Sequence, residues 1–519
     1  LLRLLKRNEV AAASADFEPG HMPYLFPEVF LRADPGFDVL IGNPPWEKVR
    51  HEPQQFWVVR DPGLHSLSAA ARAERIEELR ETRPADRAEE LQAIAVSDRL
   101  TSYFSRAYRL QASQHYDFAK LFAERNLDLV RANGAVGLVM PQALLLLGGW
   151  KPIRQSMVTE HHLVVAPLRN IGGWAFENVH AQTPMCVVIA GPGSGVSVWP
   201  ASNSAAAFAS LRDTPQLELP IDDLRDLSDE LNVPWFESAR DPLVFAAMAK
   251  FPRLGDGSGW LHGRADSTRW DFSASGRNSR NAASSPAAPD DWRVTMTRHV
   301  AQFAMTPTSE GKWIKNLPDL VTPTSGLTRQ DGRIVIGRNH PAIIYRFPTN
   351  GDNSRTLIAS PLPSEGWLFS KGYAHGVLLP EDVSTTDVLA LVGYLNSVPA
   401  DWWARRFVDR HLGKRIIEGL PLPAWDAEVR ERVAELVTGV LIENGITEIA
   451  GPRPLSVPSR LMPVADALAE IDARAFVGLG LDPDAAESVF ADFGSSEAAL
   501  PASRRLAIVQ SIYALAART

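Results

Sequence analysis

The sequence predicts an α/β fold whose first part is a sheet with parallel strands, followed by an α+β region and a helical tail. Three observations predict it. Before residue 195, the apolar runs FDVLIGN (37–43), AVGLVMP (135–141) and TPMCVVIAG (183–191) are joined through an amphipathic helix. Between 330 and 425, the strand-like runs RIVIG, AIIYRF and RTLIAS mix with a helix, VLALVGYLNSV. From 426 to 519 the pattern is helical. Strand, helix, strand at these lengths is an α/β unit, because parallel neighbours need a crossover between them.

In chain order, LLRLLKRNEVAAA reads as a helix already under way at Leu1, and a longer protein's N-terminus is expected before it. FDVLIGN is a short buried strand that ends in a Gly-Asn-Pro-Pro turn. Residues 51–114 are polar and rich in Ala, Arg and Glu, which predicts a helical insertion. The next helix places Phe118, Leu121, Phe122 and Leu129 near one face and is stopped by Asn133-Gly134. Two further strands follow, the last ending in the loop GPGSG. Residues 1–195 are thus the first domain, and 196–235 read as an acidic, loop-like linker. Residues 236–430 form a second domain, with a mobile Gly/Ser/Ala/Asn/Asp-rich loop at about 253–292, and 431–519 a helical C-terminal region.

A chain of 519 residues holds two or three such domains, and 45% hydrophobic with 22% charged residues is ordinary for globular proteins. The net charge of −8 excludes a basic field over the whole protein, so any nucleic-acid contact must come from local patches. The single cysteine, Cys186, excludes a disulfide framework or a cysteine-built zinc site and suits a reducing cytoplasm. No run of about 20 apolar residues predicts a membrane span. There is no nucleophile elbow, no His-Glu-x-x-His and no phosphate-binding loop, which counts against ordinary hydrolases. His161-His162, at a helix-to-strand junction, reads as a surface pair, and no metal is expected.

Asn43-Pro44-Pro45-Trp46 is the informative tetrapeptide. At ordinary proline usage, an Asn-Pro-Pro-aromatic match has roughly a half-percent chance of arising in a chain this long. Its position adds weight, because α/β sheets place ligands at the carboxyl ends of their strands. An exocyclic amino group on a nucleobase is a poor nucleophile, its lone pair being delocalised into the ring. Two acceptors can orient its hydrogens: the Asn43 side-chain oxygen and the Pro44 carbonyl, which the fixed proline turn leaves open. Trp46 offers a face for stacking. A base in duplex DNA reaches such a site only by flipping out, and stacking offsets part of that cost.

On these residues the chain resembles the amino-methyltransferases at their motif IV. The segment PYLFPEVFLRADPGFDVLIGNPPW is similar to the approach to that motif in the large type IIG-like DNA adenine methylases. The helical insertion, DFAKLFAERNLDLVRANGAVGLVMP and AFENVHAQTPMCVVIA recur there in this order, resembling motifs V, VI and VIII. The segments TNGDNSRTLIASPLP, LVGYLNSVPADWWARRFVDRHLGKRIIEGLPLP and EIDARAFVGLGLDPDAAESVFADF look like a TaqI-like specificity domain and its helical tail. The likeness touches most of residues 20–200 and 295–495. It implies the C-terminal part of a Rossmann-like class I methyltransferase sheet, then a target-recognition domain. It also implies double-stranded DNA as partner, S-adenosylmethionine as cofactor, and adenine-N6 methylation in a bacterial restriction–modification or phage-defence system, with other subunits or an endonuclease attached or associated.

By the same resemblance Phe176 is a second aromatic wall around the flipped base, with a core phenylalanine as the alternative. Asn43 and Asp117 lie near the cofactor, and Asp117 reads equally as a helix N-terminal carboxylate. Glu47 and Lys48 follow the turn as solvated residues or DNA contacts. The stretch ARRFVDRHLGKR sets Arg405, Arg406, Arg410, Lys414 and Arg415 against Asp409 and reads as a phosphate-neutralising patch or a solvated loop. Arg338, Asn339 and His340 are candidates for reading base edges. Trp402 and Trp403 read as core.

One departure from the family matters. A class I methyltransferase holds its cofactor with a glycine-rich turn after the first strand, and no such turn precedes Asn43 in this sequence. The alternative reading is therefore a catalytically incomplete recognition subunit, whose cofactor-binding half is supplied from outside these residues. Methylation of a protein glutamine amide, or of the cytosine amine, uses similar chemistry and stays open.

Overall fold

The computed structural model describes residues 20–517 apart from 112–115, 178, 180–182, 215, 229, 267–282, 290, 307–310, 315–319, 324–332, 337–339, 348, 350–352, 364–366, 370–372, 409–411, 451–452 and 494–499. The helix read over 1–13, Arg338, Asn339, Asp409, Arg410 and much of the loop read at 253–292 lie outside the described residues. The chain divides into two compact units. The first comprises Leu1–Leu144, Gly149–Val165 and Met185–Val196, and the second Leu145–Gly148, Ala166–Pro184 and Ser197–Thr519.

Period-two alternation builds the sheet of the first unit. Strand β2 (Val130–Pro141) buries Val136, Leu138 and Met140 on one face. Strand β1 (Phe37–Gly42) pairs with it in parallel, Val39 opposite Ala135 and Gly42 opposite Leu138. Two more strands, β3 (His162–Leu168) and β4 (Met185–Gly191), give the neighbour order β1-β2-β4-β3. The pairing of β4 corrects the expectation of a parallel sheet: it runs antiparallel to β2, with Val136 opposite Ala190 and Pro141 opposite Met185. The reason is an extra strand. β3 intervenes in sequence between β2 and β4, so these two are not joined by one simple crossover. The sheet is mixed. On its other face Val39, Ile41 and Ile189 remain exposed, Ile41 by 86%.

The longer helices of this unit accompany the sheet. α1 (Ala69–Thr82) and α2 (Pro84–Ala107) belong to the insertion after β1. They pack a small core of Trp57, Leu64, Ile76 and Leu79. Inside it Glu90, fully buried, accepts hydrogen bonds from Arg80 (2.9 Å) and Arg87 (2.5 Å) and lies 3.3 Å from His51. The two guanidiniums overcome the penalty of burial and hold its carboxyl at about 2. α3 (Phe118–Leu129) leads into β2, and α4 (Lys151–Thr159) into β3. Cys186 is buried among apolar neighbours, which push its thiol pKa up and leave it unreactive.

The stretch read as a linker, 196–235, contains ordered elements: β5 (Gly195–Val198), β6 (Leu217–Leu219) and a short helix, Ile221–Leu227. Asp222, Asp223 and Asp226 sit on solvent-facing positions of that helix, while Leu224 and Leu227 are buried. The second unit also holds α5 (Asp241–Met248) and a four-stranded antiparallel sheet. The sheet is built from β7 (Arg264–Asp266), β8 (Ala342–Arg346), β9 (Ala359–Pro361) and β10 (Ala374–Leu378), in the order β9-β8-β10-β7. Helices α6 (Thr385–Leu395) and α7 (Val398–Arg405) bring Trp402 and Trp403 into the core, where Trp403 stacks on Phe245 at 4.3 Å. The tail is helical as expected: α8 (Ala427–Glu443), α9 (Val464–Gly478), α10 (Pro483–Ala491) and α11 (Ala502–Ala516). Among the described residues no helix is long and apolar enough to cross a membrane.

Candidate functional site

The Asn43–Trp46 turn leaves β1 at its carboxyl end and is held from three directions. Before it, Gly42 is in register with Leu138 of β2. After it, residues 47–49 form a short antiparallel bridge with residues 116–118: Phe118 N–H donates to Glu47 O (3.0 Å) and Val49 N–H to Tyr116 O (2.9 Å). Across it, the Trp46 indole Nε1 donates to Val139 O at 3.3 Å. Pro44 and Pro45 have fixed φ and no N–H, so they resist being drawn into either ladder. Pro44 is buried and Trp46 half-buried, while Asn43 is exposed and makes no hydrogen bond among the described residues. A rigid turn thus presents an uncommitted amide beside an anchored indole. Such a pair can accept hydrogens from a planar amino group and stack its ring. Glu47 and Lys48, next in the chain, are exposed.

Asp117 stands at the Lys48 bridge, next to this turn's exit. It is the N-cap of α3. Its side chain accepts from Lys120 N–H at 2.8 Å and lies 3.3 Å from Lys120 Nζ. Burial raises its pKa, partly offset by those Lys120 contacts. Both oxygens therefore have local tasks, which favours the helix-capping reading over a cofactor contact.

Phe176 belongs to the second unit. It is half-buried in a loop organised by a residue the sequence reading passed over, Asn170. Fully buried, Asn170 donates to Phe176 O (2.8 Å) and accepts from the N–H groups of Ala175 and Phe176 (3.1 Å each). Gly172 and Gly173 hold φ of 71° and 74°, which the tight loop requires. An asparagine followed by Ile-Gly-Gly was the available signal.

The basic run separates into two parts. Arg406 is fully buried, 3.1 Å from Asp241, also paired with Asp492, and bonded to Trp402 O. Arg405 donates to Asn353 O (2.7 Å), Ser354 O (3.0 Å) and Asp401 (3.2 Å), and packs over the Phe493 ring. These guanidiniums spend their hydrogen bonds on carboxylates and carbonyls of the fold, as structural arginines do. Lys414 and Arg415 lie exposed on the short helix Lys414–Glu418, Arg415 3.5 Å from Glu230. His340 is buried, which removes it from base-edge reading, and Arg338, Asn339 and Arg410 are among the undescribed residues. His162 opens β3 and hydrogen-bonds Ser194 O through Nδ1 (3.1 Å), as a junction residue would.

No family model and no curated protein matches the chain. Solved structures do overlap it. One is the type IIL restriction-modification enzyme MmeI in complex with DNA: 12% identity, TM-score 0.37, covering 80% of this chain and 54% of that one. Another is a nuclease-deletion mutant of the type ISP restriction-modification enzyme LlaGI with a DNA substrate mimic: 11% identity, TM-score 0.34, covering 78% and 34%. A third is the type IIG restriction endonuclease BpuSI: 13% identity, TM-score 0.31, covering 88% and 54%. The chain spans about half or less of the length of each. Overlaps this loose fix neither the fold nor the chemistry.

Proposed function

We propose that this chain supplies the base cradle and the DNA-reading part of a site-specific DNA adenine-N6 methyltransferase acting in bacterial restriction–modification or phage defence. One observation carries the reading: the exposed, unengaged amide of Asn43, at the carboxyl end of β1, beside an indole anchored to Val139. The turn is pinned on both sides, so the position of this amide is fixed while its hydrogen-bonding groups face solvent. It is left available next to an aromatic face, as an extruded amino base requires. Catalysis by such a turn is positioning, with the Asn43 oxygen and the Pro44 carbonyl orienting the amine.

S-adenosylmethionine would supply the methyl group. The described residues fit that cofactor poorly. Asp117, the one acidic candidate for it, is occupied as a helix cap. No step is therefore assigned to cofactor-binding residues of this chain. A second reading is a recognition subunit that depends on another segment or polypeptide for the methyl donor. The exposed Val39 and Ile41 support it, since parallel strands are ordinarily covered on both faces.

The test is nucleoside analysis of duplex DNA incubated with the protein and methyl-labelled S-adenosylmethionine. N6-methyladenine is the expected product. N4-methylcytosine, or label in protein glutamine, would replace the adenine assignment. Duplex binding without any methyl transfer selects the recognition-subunit reading.

A further inference from the structure

Within the second unit a cleft of about 420 Å³ opens between the segment around Arg253, the start of β7 and the helix Lys414–Glu418. Three arginines line it: Arg253, Arg264 and Arg415. The walls are brought together by a short antiparallel contact. Gly255 N–H donates to Glu418 O (2.8 Å) and Leu254 N–H to Leu420 O (3.0 Å), and a Cβ at Gly255 would meet Glu418 at 2.7 Å. Glycine is needed here for close approach.

Of the three carboxylates that line the cleft, Asp256 and Glu418 are committed to holding it, and Asp226 stands exposed at its edge. Asp256 accepts from Arg253 N–H (3.1 Å), Ser258 N–H (3.0 Å) and Ser258 Oγ (2.7 Å), closing its own turn. Glu418 accepts from Ala265 N–H (3.0 Å) and faces Arg264 at 3.7 Å. The Arg253 guanidinium, by contrast, makes no hydrogen bond and no ion pair within 4 Å among the described residues. Its surroundings dehydrate it enough to lower its pKa, while Asp256 and Asp226 act on it only at longer range. A partly dehydrated cation without donors engaged is costly, and an anion that brings charge and acceptors recovers that cost. A guanidinium fork matches the oxygens of a phosphate.

We infer that this cleft binds a backbone phosphodiester of the target duplex, with Arg253 and Arg415 as the contacts. The inference rests on the DNA-reading function proposed above and moves the phosphate contacts from Arg405 and Arg406 to Arg253, Arg415 and the neighbouring Lys414. Phe251 on the same wall offers a surface for the sugar. Arg264, already facing Glu418, helps set the local potential.

The test is duplex binding by the full chain, followed by fluorescence anisotropy over a salt series. Arg253→Ala/Arg415→Ala should weaken binding at least tenfold near 0.1 M salt. It should also flatten the log–log salt slope by about 1, at roughly 0.9 for the one phosphate neutralised. Arg415→Glu, a change at an exposed side chain, guards against misfolding and should lose at least tenfold in affinity with an unchanged melting temperature. A wild type that binds duplex, with both variants matching it in affinity and slope, overturns the inference and leaves the DNA reading intact. Inorganic phosphate at constant ionic strength is the second arm. Submillimolar phosphate binding lost in the variants, with duplex affinity unchanged, makes this a small-anion site and also overturns it. A wild type that binds no duplex at all sinks both this inference and the proposed function.

Discussion

The turn at Asn43–Trp46 and the basic run from Arg405 to Arg415 look alike in sequence: polar residues in a suggestive order, each similar to a DNA-acting family. The folded chain treats them oppositely. Asn43 is left with an exposed, unbonded amide on a pinned turn. Arg405 and Arg406 are enclosed by Asp401, Asp241, Asp492 and backbone carbonyls. The difference teaches that residue type nominates a site, while the state of its hydrogen-bonding groups decides it. A polar group serving the fold has its partners inside the protein. A polar group serving a ligand is held in place and left open.

That contrast can be broken at its committed end first. Arg406→Ala strands Asp241 and Asp492 as buried charges and should cost about 3–5 kcal/mol, measured by denaturant unfolding. Lost duplex binding with stability intact would return Arg406 to the DNA surface. Glu90→Gln tests the same principle in the helical insertion and should cost about 3 kcal/mol near neutral pH. The sign with pH is fixed by its pKa, held at about 2 against an ordinary 4.5. The Glu90 contribution is complete above pH 4.5 and fades as pH falls through 2, so wild type and variant should converge in acid melts. Asp117→Ala should cost about 1 kcal/mol as a lost helix cap, and Asp117→Asn, which still caps, should be nearly neutral. Weakened S-adenosylmethionine binding by the Asn variant, with its melting temperature unchanged, would move Asp117 from the committed group to the open one.

Much of the fold was legible because it follows from local rules. Apolar runs marked β1, β2 and β4, although β1 is exposed at Val39 and Ile41 where a buried strand was expected, and the Ala/Arg/Glu-rich stretch from 51 to 114 marked helices. The turn at Asn43 was legible because two prolines at a strand end cannot continue the ladder. What escaped depended on long-range pairing. The direction of β4 turned on counting β3, a run interrupted by Pro167. The short elements between 196 and 235 hid behind acidic residues that face solvent. The burial of Arg406 is set by Asp241 and Asp492, which lie 165 residues before it in one case and well after it in the other. The Arg253 cleft is assembled from four separate stretches, none with a motif of its own.

Asn43→Ala is the most direct measurement of the central claim, read as methyl transfer to duplex adenine beside duplex affinity and melting temperature. The account predicts a loss on the order of 100-fold in transfer, as for removal of one positioned polar group, with affinity and stability close to wild type. Transfer that persists at the wild-type rate would contradict it, because the turn would then be a bend in the chain and not a cradle for the base.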